Sequence, residues 1–315
     1  QPAGGTNIAE ALDIGLAQLD QGASSPQTVH RMILLSDGRP TVGETNLERL
    51  VERGRRADRR SVSVTTMGVG VNYNEDLMTR LANLGGGQYH FIDAPKQVVS
   101  MFQEELNGMA RTVATDGSLV IETGPDVALE AVHGWPHRQE GDRIWVSLAS
   151  FSAQQNKSLL LEWSARRSSG PPSTLVDVGL SYRDLTAAQP AHQQAALSLA
   201  ASDEAHRRAD SRRPSVVSRV QQVEVAHAMS QAMEAFERGD TSGARGLIDR
   251  RKKAMQRAQR QFNLDEDRME TIKHQLEGAE RNLQQHSSDS RAGKAVIKRQ
   301  KAKSNVILLD SAALK

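Results

Sequence analysis

Asp37 is the residue whose position in the sequence most strongly suggests a binding role. It follows the apolar run Met32 to Leu35 and directly precedes Gly38. Four consecutive apolar residues indicate a strand buried on both faces, which is typical of a parallel sheet covered by helices. Such sheets bind ligands in the crevice above the carboxyl ends of their strands. The sequence therefore places a carboxylate where a ligand site would form.

Structural roles explain Asp37 and Thr6 equally well when each residue is considered alone. An Asp in an Asp-Gly turn commonly accepts hydrogen bonds from nearby backbone N–H groups. Thr6 follows two glycines and precedes a predicted helix, so its hydroxyl is also suited to cap that helix. Both interpretations stay open at this point.

The segment Gly68-Val69-Gly70 follows a β-rich run and matches the start of a dinucleotide-binding pattern. Tyr73 occupies the position of the third glycine in that pattern, and no phosphate-binding Lys follows. We therefore interpret the glycines as residues that allow a tight turn at the end of a strand.

Two histidines, His133 and His137, lie four residues apart. Gly134 and Pro136 between them disfavour the helix that would bring both onto one face, so we expect loop histidines. The sequence contains no nucleophile elbow, no zinc-protease His pair and no Walker loop. These observations predict a protein that is not an enzyme.

Length and composition set broad limits on the protein. A chain of 315 residues is long enough for two or three domains, at about 100 to 200 residues each. The formal net charge of +2 indicates no class of partner, and the absence of Cys excludes disulfides and thiolate metal sites. No apolar run is long enough to span a membrane, and no compartment is predicted. The chain starts at Gln1 without a signal segment, so we expect a fragment.

Two basic runs, 250–253 and 298–303, raise the question of nucleic-acid binding. Aromatic residues make up only 3% of the chain and none stand within these runs, so stacking on bases is unsupported. Solvated helix faces are the favoured interpretation, and no nucleic-acid partner is expected.

Apolar patterning divides the chain into segments. Helix and strand patterns alternate over residues 1–114, as in a doubly wound α/β layer. Residues 115–186 contain five short β-rich runs, which predict an all-β sandwich-like domain. The composition of 187–213 predicts a helix-prone or loose connector. Residues 214–286 predict a helical hairpin region, and 287–315 a basic, loose tail.

Several motifs resemble those of the von Willebrand factor A domain. Gly4-Gly5-Thr6-Asn7 before a helix, and a hydrophobic strand ending in Ser36-Asp37-Gly38, are similar to the second and third motifs of that family. The stretches 68–70, 74–78 and 85–89 resemble the bacterial relatives described as calcium-activated chloride channel homologues. The resemblance implies an incomplete doubly wound sheet of this type, followed by a β-rich segment and an α-helical tail.

The resemblance also implies a metal-ion-dependent adhesion site for Mg²⁺ or another divalent cation. By matching position, Thr6 would provide a hydroxyl ligand and Asp37 a carboxylate, with Gly5, Ser36 and Gly38 in the binding segments around them. The family's first motif, Asp-x-Ser-x-Ser, has no counterpart in this sequence. We therefore expect an N-terminally truncated chain that binds the metal weakly or not at all, whereas the full-length parent binds it.

The function that the resemblance implies is a non-enzymatic protein-binding module. Its metal would complete its coordination with an acidic side chain of a protein partner. The alternative is a structural scaffold or assembly protein that self-associates through its helical C-terminal region. Neither hypothesis needs nucleic acid or a membrane span in this chain.

Overall fold

The computed structural model describes residues 4–309 except 22–24, 26, 125, 166–169, 203, 205–206 and 208–210. The chain forms two compact units. The first comprises Gln1–Glu122, Pro136–Gln155 and Val178–Ala195, and the second comprises Thr123–Trp135, Asn156–Asp177 and Ala196–Lys315.

The N-terminal part alternates helices and strands, as the sequence predicts. Its elements are α1 Ile8–Asp20, β1 His30–Ser36, α2 Leu47–Asp58, β2 Val62–Val69, α3 Glu75–Leu84, β3 Gly86–Ile92 and α4 Lys96–Ala110. The strands form a parallel sheet in the order β1-β2-β3. This arrangement confirms the predicted parallel α/β layer.

Helices cover both faces of this sheet. Successive side chains of a strand point to opposite faces. Met32 lies against Gly15 of α1, whereas the preceding residue, Arg31, contacts Glu105 of α4. Because α1 and α4 approach β1 from opposite sides, the layer is doubly wound around this strand.

Strand β1 forms an edge of the parallel sheet, and the prediction that Met32 to Leu35 is buried on both faces is wrong for most of this run, because Met32 and Ile33 are only half-buried. Leu34 is buried, but 48% of Leu35 is exposed. In the part of the chain that the structure describes, no strand pairs with β1 on the side away from β2. By contrast, β2 is buried along nearly its whole length because it has a partner on each side.

Seven strands follow the α/β layer. They are β4 Thr112–Thr123, β5 Val127–His133, β6 His137–Glu140, β7 Arg143–Ser152, β8 Leu160–Ala165, β9 Gly170–Asp184 and β10 Gln189–Ala201. They form a five-stranded sheet in the order β10-β9-β4-β7-β6 and an antiparallel pair, β5-β8.

The predicted connector at 187–213 is wrong over the 13 residues of β10, Gln189–Ala201, and part of the remainder lies outside the described residues. The Ala- and Gln-rich composition favoured a helix, but pairing with β9 places the segment in a sheet. Local propensity is a weak guide where such tertiary pairing is available. The two histidines predicted to lie in a loop also differ from expectation, since His133 ends β5 and His137 begins β6.

The C-terminal region is a bundle of helices around one core. The helices are α5 Pro214–Glu237, α6 Thr241–Phe262, α7 Glu266–Gln285 and α8 Arg291–Leu309. The first two helices form a hairpin, as the sequence predicts for this region, with its turn at Gly239-Asp240, and the Asp240 side chain caps α6 by accepting a hydrogen bond from Gly243 N. Apolar stripes from all four helices meet in a single buried cluster.

The predicted loose tail at 287–315 is wrong where α8 forms. Its apolar residues Val296, Ile297 and Ile307 are buried, and the first two belong to the bundle core. Basic residues separate these few apolar positions in the sequence and obscured the helical stripe. None of the described helices is both long and apolar enough to cross a membrane.

Candidate functional site

The turn after β1 holds Asp37 at the carboxyl end of the edge strand. The Ser36 hydroxyl donates a hydrogen bond to Gly38 O at 3.1 Å, and Gly38 N donates to Ser36 Oγ at 3.4 Å. The turn is therefore held by the Ser36 side chain. The Asp37 side chain does not accept, from any described residue, the backbone hydrogen bonds expected of an Asp in an Asp-Gly turn. Within the described part of the chain, the exposed Asp37 carboxylate has no hydrogen-bond or ion-pair partner, so it is available to a ligand.

Thr6 is fixed to the loop that follows this turn. Thr6 O accepts hydrogen bonds from Thr41 N at 2.9 Å and from Val42 N at 3.3 Å, and Thr6 N donates to Thr41 Oγ1 at 2.9 Å. These contacts join two segments that are 35 residues apart. This pairing could not be predicted from the sequence, because neither Thr41 nor Val42 belongs to a recognised motif.

The Thr6 hydroxyl lies beside the turn that carries Asp37. A Cβ atom added to Gly38 would approach Thr6 Oγ1 to 2.9 Å, so the hydroxyl occupies the space that a larger residue at 38 would need. The structure thus brings together the two segments predicted to supply ligands. A Cβ on Gly5 would lie 2.4 Å from Val42 Cγ2, which explains the glycine before Thr6.

Helix α1 is capped by Asn7 and not by Thr6. The Asn7 side chain accepts a hydrogen bond from Glu10 N at 3.2 Å and donates to Glu10 Oε2 at 2.8 Å, as in a reciprocal capping arrangement. The Thr6 side chain is therefore not needed to begin the helix. This result removes the alternative role that the sequence left open for Thr6.

The neighbouring strand end contains a buried pair of tyrosines. Tyr73 Oη and Tyr89 Oη are 2.5 Å apart, and Tyr89 Oη donates to Glu75 Oε1 at 3.4 Å. Burial raises the pKa of both phenols, and the negative charge of Glu75 raises them further. Both side chains remain neutral at ordinary pH, so they contribute packing and hydrogen bonds but no anionic ligand.

The oxygen groups of Thr6 and Asp37 fit a hard divalent cation in kind but not in number. Mg²⁺ is commonly bound by one or two carboxylates with waters in its remaining positions. Asp37 contributes one carboxylate, and Thr6 a neutral hydroxyl. Among the residues that the structure describes, no group of three His, Asp or Glu side chains is placed to hold a metal ion. A complete site at this turn would need additional oxygen ligands.

Several residues of the basic runs form ion pairs within the bundle. Arg251 pairs with Glu224, and Lys252 Nζ lies 2.9 Å from Glu280 Oε2. Lys301 Nζ likewise lies 2.9 Å from Glu237 Oε2. Each of these pairs joins two helices. The interpretation as solvated helix faces is wrong for Arg251, whose side chain is only 12% exposed, and for the buried Lys298. The absence of a nucleic-acid partner stays a prediction.

Comparison with known proteins supports the resemblance of the N-terminal part. Residues 1–91 match the family model of the von Willebrand factor type A domain. The chain is 32% identical over 126 residues to the uncharacterized protein YfbK of Escherichia coli, a match that covers 39% of this chain and 21% of that protein. It is 36% identical over 91 residues to inter-alpha-trypsin inhibitor heavy chain H2 of Mus musculus, covering 28% of this chain and 10% of the relative. The chain therefore spans only a small part of these relatives.

Solved structures share the fold. A von Willebrand factor type A protein from Catenulispora acidiphila has a TM-score of 0.64 at 16% identity, and the match covers 86% of this chain and 63% of that one. The ArnB paralog VWA2 from Sulfolobus acidocaldarius has a TM-score of 0.51 at 14% identity, covering 98% of this chain and 72% of the other. The family match and the shared fold together support a von Willebrand factor type A domain in the N-terminal part of this chain.

Proposed function

We propose that this chain belongs to a non-enzymatic protein-binding module in which a divalent cation at the end of β1 joins Asp37 to an acidic side chain of a protein partner. The observation that carries this proposal is the position of the Thr6 hydroxyl beside Gly38, next to the exposed Asp37. A bound Mg²⁺ would supply positive charge and an open coordination position for a carboxylate. Thr6 and Asp37 would hold the cation. The Ser36 hydrogen bonds shape the turn that carries Asp37, and the Thr41 hydrogen bonds hold the Thr6 segment against the loop after that turn.

The proposal includes a missing part of the site. We infer that the remaining ligands belong to an Asp-x-Ser-x-Ser segment preceding Gln1, as in the calcium-activated chloride channel homologues that the sequence resembles. The unpaired edge of β1 supports this inference, because an additional strand there would give its exposed backbone and Leu35 a partner. By itself, this chain is expected to bind Mg²⁺ weakly or not at all.

Calorimetric titration with Mg²⁺ tests the proposal on two proteins, this chain and a longer chain that includes the upstream gene segment. We expect clear binding at millimolar Mg²⁺ only in the longer chain, and loss of that binding in D37N and T6V. The matched control is D93N, which changes the carboxylate directly after β3.

The partner is tested separately, by capturing binding proteins with the longer chain in the presence of Mg²⁺ or of a chelator. Metal-dependent capture that D37N abolishes would support the adhesion function. Binding of Mg²⁺ that is unchanged in both D37N and T6V would contradict the assignment of the site.

A further inference from the structure

Two histidines outside the Asp37 site meet in the second compact unit. His133 ends β5, and His227 lies in the middle of α5, 94 residues further along the chain. His133 Nδ1 is 3.3 Å from His227 Nε2, and the two rings are arranged edge to face with centroids 5.5 Å apart. One nitrogen of each imidazole is thus directed toward the other residue.

The separation of these nitrogens equals the distance that a shared metal ion requires. Imidazole nitrogens bind Zn²⁺ at about 2.0 to 2.1 Å, and two such ligands at a tetrahedral ion lie roughly 3.3 Å apart. A metal could therefore join the two rings without backbone movement. We propose that His133 and His227 form a two-histidine site for a transition-metal ion of the Zn²⁺, Ni²⁺ and Cu²⁺ class.

A negative charge beside the pair favours metal binding by the two imidazoles. Glu162 Oε2 lies 3.6 Å from His133 Nε2, the nitrogen on the other side of that ring. This distance is longer than a hydrogen bond, but it places a negative charge on the side of the ring opposite Nδ1, where outer carboxylates orient the ligand at many histidine sites. On binding, the His227 proton moves to its Nδ1 and frees Nε2.

The ligand set also determines which ions the site accepts. Imidazole nitrogen suits Zn²⁺, Cu²⁺ and Ni²⁺, whereas Mg²⁺ and Ca²⁺ prefer oxygen ligands. No third His, Asp or Glu joins the pair among the residues that the structure describes, so water would fill the remaining positions. The site is therefore chemically distinct from the cation site proposed at Asp37, and it links the β5-β8 pair to α5.

Calorimetric titration of the chelator-treated chain with Zn²⁺ at pH 7 tests this proposal. We expect one Zn²⁺ per chain, affinity at least about tenfold weaker in H133Q and in H227Q, and affinity roughly tenfold weaker in E162Q. Zn²⁺ should raise the melting temperature of the unaltered chain, and Mg²⁺ should not produce this increase. Melting of each variant without metal checks that it is folded.

The control is H274Q, because His274 on α7 is the centre of another surface cluster that could bind Zn²⁺. Its ring nitrogens lie 3.7 Å from Glu270 Oε1 and 3.6 Å from Glu277 Oε2, so that surface also offers one imidazole and two carboxylates. We expect H274Q to bind Zn²⁺ like the unaltered chain. Absence of Zn²⁺ binding, binding unchanged in folded H133Q and H227Q, or loss of binding only in H274Q would overturn the proposal.

Discussion

Arg31 on the edge strand β1 forms an ion pair with Glu105 on α4, with Arg31 Nη1 2.7 Å from Glu105 Oε2. Only 4% of the Glu105 side chain is exposed. The same carboxylate accepts a hydrogen bond from Thr65 Oγ1 on β2 at 3.0 Å, and its other oxygen lies 2.9 Å from His90 Nε2 on β3. One buried carboxylate therefore connects α4 to all three strands of the parallel sheet.

Replacing Glu105 should destabilise the α/β layer strongly. E105Q keeps the side-chain volume but leaves the Arg31 charge buried without its partner, a change that typically costs about 3 to 5 kcal/mol. Urea unfolding of the variant measures this loss. The matched control is E52Q, whose carboxylate pairs with Arg55 and Arg59 at the surface and should change stability by less than about 1 kcal/mol. Equal effects of E105Q and E52Q would contradict the predicted role of Glu105.

The Glu105 network should also make stability depend on pH. Burial raises the pKa of Glu105, but the hydrogen bond with His90, the charge of Arg31 and the hydrogen bond from Thr65 together lower it below its ordinary value of 4.5. A carboxyl group with a lowered pKa stabilises the folded state above pH 4.5, and this contribution is lost as the pH falls through the folded-state pKa. The difference in unfolding free energy between the unaltered chain and E105Q should therefore shrink on acidification below pH 4.5. A difference that is constant from pH 7 to pH 3 would show that this ionisation does not contribute.

Gly68 should be intolerant of a side chain. A Cβ atom there would lie 2.2 Å from ring atoms of Tyr73, which is almost fully buried. Overpacking of this kind costs about 1 to 3 kcal/mol, so G68A should lower the melting temperature. G246A is the control, because it adds a methyl group inside helix α6 where only the end of the Arg250 side chain approaches, at 3.4 Å, and it should stabilise the chain slightly. A melting temperature for G68A equal to or above that of the unaltered chain would contradict this prediction.

Arg219 should anchor the last described helix to the bundle. Its guanidinium donates hydrogen bonds to Ile307 O and Leu308 O, both at 2.8 Å, at the C-terminal end of α8. A positive charge at this end of a helix is favourable, and hydrogen bonds from a charged group contribute about 1.5 to 3 kcal/mol. R219Q should therefore speed amide hydrogen exchange in α8, and R219K should have a smaller effect.

The control for Arg219 is R245Q, which changes an exposed arginine on α6. Exchange in α8 should stay unchanged in this variant. Protection of α8 that is equally strong in R219Q and R245Q would mean that the apolar core alone holds the helix in place.

The parallel α/β layer could be predicted from sequence because its signals are local. The apolar run before Asp37 and the β-branched residues of β2 lie within single elements. The ligand pairing of Thr6 and Asp37 came from a motif resemblance, and the contacts with Thr41 that position Thr6 had no local signal. The sequence predicts a turn at Gly68, whereas this residue lies inside β2 and faces the buried ring of Tyr73.

The elements that could not be predicted depend on partners distant in sequence. Strand β10 has a helix-prone composition, and only its pairing with β9 makes it a strand. The charge of Glu105 gave no indication that it would be buried, because its partners Arg31 and Thr65 are 74 and 40 residues away. The approach of His133 to His227 likewise depends on the packed fold.

The packing of α8 on α5 constrains when the bundle can fold during synthesis. Arg219 on α5 emerges from the ribosome 88 residues before Ile307, the residue whose carbonyl it binds. Met229 and Met233 of α5, fully buried in the finished bundle, belong to a core that also includes Val296 and Ile297 of α8. Until the last helix is made, the nascent chain carries an incompletely covered apolar surface, the kind of surface that chaperones bind. Translation that stops before α8 should therefore leave a product prone to aggregation and proteolysis.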